Sequence, residues 1–324
     1  MPSEAPTIDE FQELRDRLGA AIVRTPTVVC AGLEEVIGSN TEIFGKLEFL
    51  QHTGTFKARG ALANVSGMSA EELERGITAV SAGNHAIAAA FAAQRMGTSA
   101  KVVMIETANP YRIEAAKRFG AEIVMAGDAH AAFERVDEIR EKEGRVFVHP
   151  FEGKAVATGT GTVGLEICEQ CEDLDAVVVS VGGGGLIAGI ASAVKQLRPD
   201  VEVIGVETTG ADSMTRSLEA GEPVTLDKVD TIADSLGAPF AMPYSFGLCR
   251  EFVDRMVVVS ETELRRAMGM LFRRMKVAVE PACAAPAAAL FGPLRESLEG
   301  RRVALVFCGS NIDWQTWYGY AQFD

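Results

Sequence analysis

A run of four glycines is the feature that most limits what this chain can fold into. Residues 182–185 follow the apolar stretch 175–181, which is typical of a buried strand, and precede 186–197, whose apolar spacing is typical of a helix. Because glycines lack Cβ atoms, such a loop lets backbone N–H groups approach an anion, and the helix adds a positive N-terminus. The pattern therefore predicts a phosphate site, although a tight turn without a ligand would have the same composition.

The overall charge excludes some classes of partner. The chain has 324 residues and a formal net charge of −14. Such a surface repels nucleic acids and anionic membranes, so we expect neither as a partner. The length favours two domains or one large α/β unit. No apolar stretch reaches the length of a membrane span, so we expect a soluble protein, and the cysteine pattern described next favours the cytoplasm.

The six cysteines are scattered through apolar contexts, without the short-spaced framework of secreted disulfide-rich domains. We therefore expect reduced thiols. Cys168 and Cys171 have the CxxC spacing of zinc and redox sites, but a second pair is missing and the neighbouring residues are acidic. The pattern favours a structural role for this pair.

Stretches typical of strands alternate with stretches typical of helices along most of the chain. This alternation indicates parallel sheets covered by helices. We interpret His149-Pro150 as a boundary, because a residue before proline prefers extended backbone. A small domain (53–150) would then be inserted into a large one (1–52 and 151–324). The predicted strands are 41–47, 77–80, 101–105, 122–125, 146–149, 176–181, 202–207, 254–259 and 303–307.

A second segment whose residues could take part in catalysis is 53–60. Its sequence is Thr-Gly-Thr-Phe-Lys-Ala-Arg-Gly, and it follows a predicted strand. Lys57 lies in its centre, between Phe56 and Ala58. A lysine considered alone is most often a solvated surface cation. The alternative is a desolvated amine whose lowered pKa makes it a nucleophile toward carbonyl groups. The neighbouring motifs must decide between the two.

The loop 81–85, Ser-Ala-Gly-Asn-His, lies between the predicted strand 77–80 and a predicted helix over 86–96. Serine and asparagine at such a corner often cap the helix. The N–H groups and the asparagine amide at a helix N-terminus can also bind a carboxylate. The local sequence is compatible with both interpretations.

Six ordered motifs connect these segments. They are Thr53-Gly-Thr-Phe-Lys-Ala-Arg-Gly-Ala61, Ser81-Ala-Gly-Asn-His-Ala86, Val181-Gly-Gly-Gly-Gly-Leu186, Thr231-Ile-Ala-Asp234, Met275-Lys276 with Glu280-Pro281, and Cys308-Gly-Ser-Asn-Ile-Asp313. Together they resemble the fold type II pyridoxal-phosphate enzymes, specifically the threonine/serine dehydratases and serine racemase, over about residues 25–313. The resemblance implies an α/β fold like that of the tryptophan synthase β subunit, with two open, mostly parallel twisted sheets and helices on both faces.

The resemblance also implies a role for each residue of a pyridoxal 5'-phosphate site. Lys57 would bind the cofactor covalently and, once displaced by substrate, act as the base at the α-carbon. Phe56 would stack on the pyridine ring, Asn84 would hydrogen-bond the ring hydroxyl, and Cys308 would lie beside the pyridine nitrogen. N–H groups would hold the phosphate at Gly182, Gly183, Gly184, Gly185 and Leu186. The substrate carboxylate would bind the loop of Ser81, Ala82, Gly83, Asn84 and His85.

The implied reaction is elimination of water from an L-β-hydroxy amino acid such as L-threonine or L-serine, which yields a 2-oxo acid and ammonia. At Cys308 a neutral thiol cannot keep the pyridine nitrogen protonated as a carboxylate would, which favours elimination over transamination. Racemisation or β-replacement on the same cofactor and a non-catalytic amino-acid binder are the alternatives. Ala82 stands where serine racemase has a second serine, and this departure favours dehydration.

Further positions bear on substrate and metal. Phe133 stands, in our alignment, where serine racemase has an arginine for a second carboxylate; this argues against hydroxyaspartate and is compatible with threonine, serine or phenylserine. The racemase-like metal site would comprise Glu207, Ala211 and Ser213, with Ser213 in place of an aspartate, so a divalent cation would bind weakly. The family suggests a homodimer, and we expect no ACT-type regulatory module after Asp324.

The segment Gly159-Thr-Gly-Thr-Val-Gly164 matches the GxGxxG pattern of dinucleotide sites. That fingerprint requires a strand directly before it and an acidic residue about 20 positions later. Here 151–158 is predicted to be a loop, and the next strand ends in Ser180-Val181. We therefore predict a closely packed loop that leads into a helix over 163–170.

Overall fold

The computed structural model describes residues 4–38, 40–81, 83–106 and 108–323. The strands within these ranges are β1 (Thr27–Val29), β2 (Glu42–Leu47), β3 (Ile77–Val80), β4 (Ala100–Ile105), β5 (Glu122–Ala126), β6 (Val146–Phe147), β7 (Ala176–Ser180), β8 (Glu202–Thr208), β9 (Arg255–Val259) and β10 (Arg302–Phe307). The α-helices are α1 (Ile8–Leu18), α2 (Ala31–Ile37), α3 (Lys57–Ser66), α4 (Ala70–Arg75), α5 (Asn84–Arg95), α6 (Pro110–Arg118), α7 (Ala129–Glu143), α8 (Lys154–Gln170), α9 (Gly185–Leu197), α10 (Ser213–Ala220), α11 (Pro243–Phe252), α12 (Glu261–Met275), α13 (Pro281–Phe291) and α14 (Trp314–Tyr320).

The larger sheet has six strands in the order β1-β2-β10-β7-β8-β9. β1 pairs antiparallel with β2, and the other pairings in this sheet are parallel. Its central strand β7, Ala-Val-Val-Val-Ser, is buried along its whole length, as expected for a strand covered by helices on both faces. The predicted fold class, an α/β protein with mostly parallel sheets flanked by helices, is confirmed.

The smaller sheet has four parallel strands in the order β5-β4-β3-β6. These strands are consecutive in the chain between Ile77 and Phe147, whereas the larger sheet takes strands from both sides of that interval. This arrangement is compatible with a small domain over 53–150 inserted in a large one. The domain boundaries themselves stay a prediction.

The predicted strands agree closely with the observed ones. Each of the nine overlaps an observed strand, and no end differs by more than two residues. The sequence analysis missed β1, because three residues are too few to display a strand period. β1 is held in place by its pairing with β2, in which Thr27 lies opposite Lys46.

The prediction of a loop for the GxGxxG segment was wrong, because α8 begins at Lys154 and contains all three glycines. A Cβ on Gly159 would lie 2.5 Å from the carbonyl oxygen of Arg59. A Cβ on Gly161 would lie 2.1 Å from the ring of Phe11. These glycines therefore allow α8 to pack closely against α3 and α1. Glycine has a low intrinsic helix propensity, which the packing outweighs.

The two most apolar helices lie in the core. Residues Gly185 to Val194 of α9 and Pro281 to Leu290 of α13 are buried. Helices that are apolar on all sides are typical of the interior of large domains. Across the described ranges, no helix combines the length and the apolar character that crossing a membrane would require.

The six cysteines are buried, and the structure pairs none of them in a disulfide within its described residues. Cys168 and Cys171 lie at the end of α8. Burial raises the pKa of Cys168 to about 11, which disfavours the thiolate needed for metal binding or redox chemistry. The geometry thus supports the structural interpretation of this CxxC pair.

A buried ionic network joins β2, α3 and α8. Arg59 contacts Glu48 at 2.8 Å and Glu166 at 2.7 Å, and Lys46 contacts Glu166 at 2.6 Å. All four side chains have no exposed surface, so two cations and two anions balance each other inside the protein. The network fixes the start of α3, two residues beyond Lys57.

Replacing Arg59 with methionine is expected to lower the free energy of unfolding by about 3–5 kcal/mol, because Glu48 and Glu166 would keep buried charges with one partner fewer. Urea unfolding measures this loss. The matched control is Arg135→Met, since Arg135 is half exposed and pairs with Glu138 at the surface. We expect the control to change stability by less than about 1 kcal/mol. Equal losses in the two variants would contradict the prediction.

Candidate active site

A cavity lies at the carboxyl ends of strands from both sheets. In open α/β sheets this edge is where ligands bind. All nine residues predicted to contact a cofactor line it, namely Phe56, Lys57, Asn84, Gly182, Gly183, Gly184, Gly185, Leu186 and Cys308. Six further residues line it to which the sequence analysis gave no role, namely Phe151, Ser180, Ser235, Leu236, Glu280 and Ala282.

The glycine loop, residues 182–185, connects β7 to α9 and leaves no space for larger side chains. Gly184 has φ = +86°, a backbone conformation that other residues rarely adopt. A Cβ on Gly183 would lie 2.4 Å from the ring of Phe151, and a Cβ on Gly185 would lie 2.5 Å from the Phe151 carbonyl oxygen. Because the first N–H groups of a helix have no intrahelical acceptor, the start of α9 offers donors to an anion. The loop therefore fits a phosphate.

Lys57 is the first residue of α3, and its side chain reaches the cavity. Its Nζ donates to the carbonyl oxygen of Pro150 at 2.6 Å and lies 5.1 Å from the centre of the Phe56 ring. Burial lowers the pKa of Lys57 to about 8, and the nearby carboxylate of Glu280 opposes this shift only in part. The structure therefore gives Lys57 the environment of a desolvated amine rather than that of a solvated surface cation.

Asn84 begins α5, and its amide is held on both sides. Its Nδ2 donates to the two carboxylate oxygens of Glu280 at 2.8 and 3.0 Å and to Ser235 at 3.1 Å. Its Oδ1 accepts from Asn311 Nδ2 at 2.9 Å, and the same Asn311 group donates to Thr53 at 2.8 Å. The NH₂ group of Asn84 is thereby fixed on the side of Glu280, which lines the cavity.

Glu280 is the buried carboxylate that the sequence analysis left without a role. Burial raises its pKa, and the guanidinium of Arg112, with a nitrogen 3.9 Å from the carboxylate, opposes the shift. Arg112 is itself buried and pairs with Asp234. The signal was present in the Glu280-Pro281 motif, where a proline at the first position of α13 places the preceding residue at the helix start.

Cys308 follows β10, and its thiol faces other small polar groups. Its Sγ lies 4.0 Å from Ser180 Oγ, which donates to the carbonyl oxygen of Ala282 at 2.7 Å. Burial raises the pKa of the neighbouring Cys283 thiol, with a hydrogen bond to Cys308 as a second cause. The role of Cys308 beside the pyridine nitrogen stays a prediction.

The predicted carboxylate loop is only partly at the cavity. Ser81 Oγ accepts from the N–H of Gly83 at 3.0 Å, which stabilises the turn before α5. Ala82 lies outside the described residues. His85 is buried, its Nε2 lies 2.8 Å from the Val148 carbonyl oxygen, and burial lowers its pKa to about 3. His85 therefore packs as a neutral core residue, and substrate binding by the loop stays a prediction.

The residues of the predicted metal site have other partners. Glu207 accepts from Met214 N at 2.9 Å and from Thr215 N at 2.7 Å, so its carboxylate binds the start of α10. Burial raises the pKa of Glu207 to about 7. Ser213 Oγ donates to the Ala238 carbonyl at 3.1 Å, and Ala211 is buried. The described ranges contain no cluster of three His, Cys, Asp or Glu side chains arranged for a metal ion.

Phe133 lies on α7 with 43% of its surface exposed. It is not among the described residues that line the cavity. Its predicted effect on the choice of substrate therefore stays a prediction.

The chain is similar to proteins of known activity over almost its whole length. The family model described as pyridoxal-phosphate dependent enzyme matches residues 19–309. Phenylserine dehydratase of Ralstonia pickettii is 49% identical over 95% of this chain and 94% of that protein. The catabolic L-threonine dehydratase of Escherichia coli K12 is 38% identical over 94% of this chain and 93% of that protein. The structure of maize serine racemase has a TM-score of 0.92 at 33% identity and covers 97% of this chain and 96% of that one.

Proposed function

The chain belongs to the family of pyridoxal-phosphate dependent enzymes, and on that premise we propose the substrate and the role of each site residue. It is a lyase of the dehydratase type, which eliminates water from a β-hydroxy amino acid. The enamine left by this elimination hydrolyses to a 2-oxo acid and ammonia. The elimination releases one water molecule and the hydrolysis consumes one, so the overall reaction has no net change in water.

Lys57 and the glycine loop line the same cavity, and this juxtaposition supports the proposed site most strongly. An amine that forms covalent bonds with carbonyl groups and a loop shaped for a phosphate match the aldehyde and phosphate ends of pyridoxal phosphate. The structure supports this fit at the glycine loop, because Gly183 and Gly185 leave no space for a Cβ atom. Lys57 would therefore bind the aldehyde, and the N–H groups of 182–186 would hold the phosphate.

Bound pyridoxal phosphate withdraws electrons from the α-carbon of an attached amino acid, which acidifies the α-proton and allows a β-hydroxyl to leave. We assign the removal of that proton to the free amine of Lys57. With a pKa of about 8, a useful fraction of this amine is neutral near pH 7.5. An ordinary lysine, with a pKa of about 10.4, would be almost entirely protonated there.

Two further side chains tune the site in our proposal. Asn311 occupies the carbonyl oxygen of Asn84, and the Asn84 NH₂ group, which donates to Glu280 and Ser235 in the structure, would turn to the ring hydroxyl once the cofactor is bound. Cys308 would lie beside the pyridine nitrogen as a neutral group. The loop of Ser81, Gly83 and its neighbours would bind the substrate carboxylate at the start of α5.

Among β-hydroxy amino acids, we propose phenylserine as the preferred substrate. Its support is the 49% identity with the phenylserine dehydratase of Ralstonia pickettii over nearly the full length of both chains. L-threonine is the second candidate, since relatives with that activity are 38–40% identical.

A substrate panel tests this proposal. Purified holoenzyme is assayed for 2-oxo acid with L-phenylserine, L-threonine, L-serine and L-threo-3-hydroxyaspartate. We expect kcat/KM for phenylserine to exceed that for L-threonine by at least about tenfold, because a pocket shaped for the ring gains a few kcal/mol in the transition state. A higher value for L-threonine would reverse the order of the two candidates. D-serine formed faster than 2-oxo acid from L-serine would favour the racemase alternative.

Two other features belong to the proposal. The family resemblance supports a homodimer, and the buried thiols without disulfides support a cytoplasmic location. A divalent cation is left out, because the carboxylate of Glu207 already accepts hydrogen bonds from the start of α10.

A further inference from the structure

The turn 149–153, which connects β6 to α8, contacts both functional ends of the cavity. The carbonyl oxygen of Pro150 accepts the hydrogen bond from Lys57 Nζ at 2.6 Å. The ring of Phe151 packs against the glycine loop so closely that a Cβ on Gly183 would lie 2.4 Å from it. The position of this turn therefore affects both the amine of Lys57 and the glycine loop.

The imidazole of His149 holds the turn in shape. Its Nδ1 accepts from the backbone N–H of Phe151 at 3.2 Å and from that of Glu152 at 3.0 Å. A ring nitrogen that accepts two N–H groups carries no proton, so the neutral ring has its proton on Nε2. A protonated imidazole would direct an N–H toward two other N–H groups. The turn around Pro150 therefore depends on an acceptor at this position.

The surroundings keep His149 neutral. Its ring packs edge to face against Phe151 at 4.6 Å and against Phe147 at 5.6 Å. Burial and the positive charge of Lys57 lower its pKa to about 4. Of the other titratable groups nearby, His85 turns its Nε2 to the Val148 carbonyl. The carboxylate of Glu152 accepts from the N–H groups at the start of α11.

We propose that His149 is a positioning residue for Lys57: its Nδ1 holds the turn so that the Pro150 carbonyl binds the free lysine amine at a fixed place in the cavity. This role rests on the proposed function, in which Lys57 leaves the cofactor during each turnover and must act as a base from a defined position. A carbonyl acceptor binds an N–H of the neutral amine and of its ammonium form, so it serves before and after proton transfer. Misplacement of a base by about 1 Å costs on the order of 100-fold in rate.

The variants H149N and H149L separate the acceptor from the shape of the side chain. Asparagine and leucine are nearly equal in shape, but only asparagine can accept from the N–H groups two and three residues later, as in an Asx turn. For H149L we expect kcat to fall by at least about tenfold with KM within about threefold of the wild type. For H149N we expect both constants within about threefold of the wild type.

A second readout does not depend on turnover. Apoprotein is mixed with pyridoxal phosphate, the bond to lysine is trapped with borohydride at short times, and the labelled peptide is quantified by mass spectrometry. We expect the rate of labelling at Lys57 to fall by at least about tenfold in H149L and to stay within about threefold in H149N. H149F, which keeps a ring but no acceptor, should behave like H149L. Thermal unfolding of each variant verifies that it is folded.

Several results would overturn the proposal. If H149F matches the wild type while H149N loses activity, then His149 acts by ring packing. Equal losses in H149N and H149L, or wild-type labelling by folded H149L, would also exclude an acceptor role. Failure of the proposed function is distinguishable, because wild-type protein would then show no cofactor bound at Lys57 in the same assay.

Discussion

Lys57→Ala is expected to lower kcat for 2-oxo acid formation by at least about 10³-fold, since one substitution removes both the covalent anchor and the general base. The variant should still fold, because the amine lies on a cavity wall and is desolvated rather than engaged in core packing. Borohydride reduction followed by mass spectrometry should find the cofactor mass on the peptide with residue 57 in wild-type protein and not in the variant.

Lys228→Ala is the control for this experiment. Its side chain is 76% exposed and pairs with Asp230 at the surface, so activity and cofactor labelling should match the wild type. Full ammonia release by Lys57→Ala would remove Lys57 from the mechanism. Labelling of a different lysine in the wild-type protein would move the proposed anchor to that residue.

Gly185→Ala is expected to weaken binding of pyridoxal phosphate by at least about 100-fold, the factor that corresponds to about 2.7 kcal/mol. The added Cβ would lie 2.5 Å from the carbonyl oxygen and 2.7 Å from the Cα of Phe151. Because these are backbone atoms, no rotamer change can relieve the contact, and the loop must move away from the turn. Titration of apoprotein with the cofactor, followed by absorbance, measures the dissociation constant.

Gly319→Ala is the matched control, since Gly319 also lies in a helix and a Cβ there would meet no atom within 4 Å. Alanine has the higher helix propensity at both positions, so a loss confined to Gly185→Ala must come from the steric contact. An unchanged dissociation constant for Gly185→Ala would show that the loop can shift without harm to phosphate binding.

Much of the architecture could be predicted from contiguous segments. Residues 182–185 indicated a phosphate loop because the absence of Cβ atoms is a property of the glycines themselves. The strands were placed within two residues because buried parallel strands are short apolar runs. The course of 151–162 could not be predicted, since α8 gains its stability from close packing of glycines against Arg59 and Phe11.

For several groups around the site, the local sequence did not indicate which distant residues they contact. The motif with Glu280 carried no sign that its carboxylate meets Asn84, 196 positions earlier in the chain. His149 and Pro150 were interpreted as a boundary between elements, and nothing near them indicated a contact with Lys57, 93 positions from Pro150.

By itself, the sequence determined the fold class and the cofactor family, and it predicted Lys57 and the glycine loop as site residues, because each depends on residue types in a continuous stretch. The tertiary structure alone decided the lowered pKa of Lys57, the orientation of the Asn84 amide and the place of the Pro150 carbonyl. These properties arise from desolvation and from hydrogen bonds between distant segments, and such contacts exist only once the chain has folded.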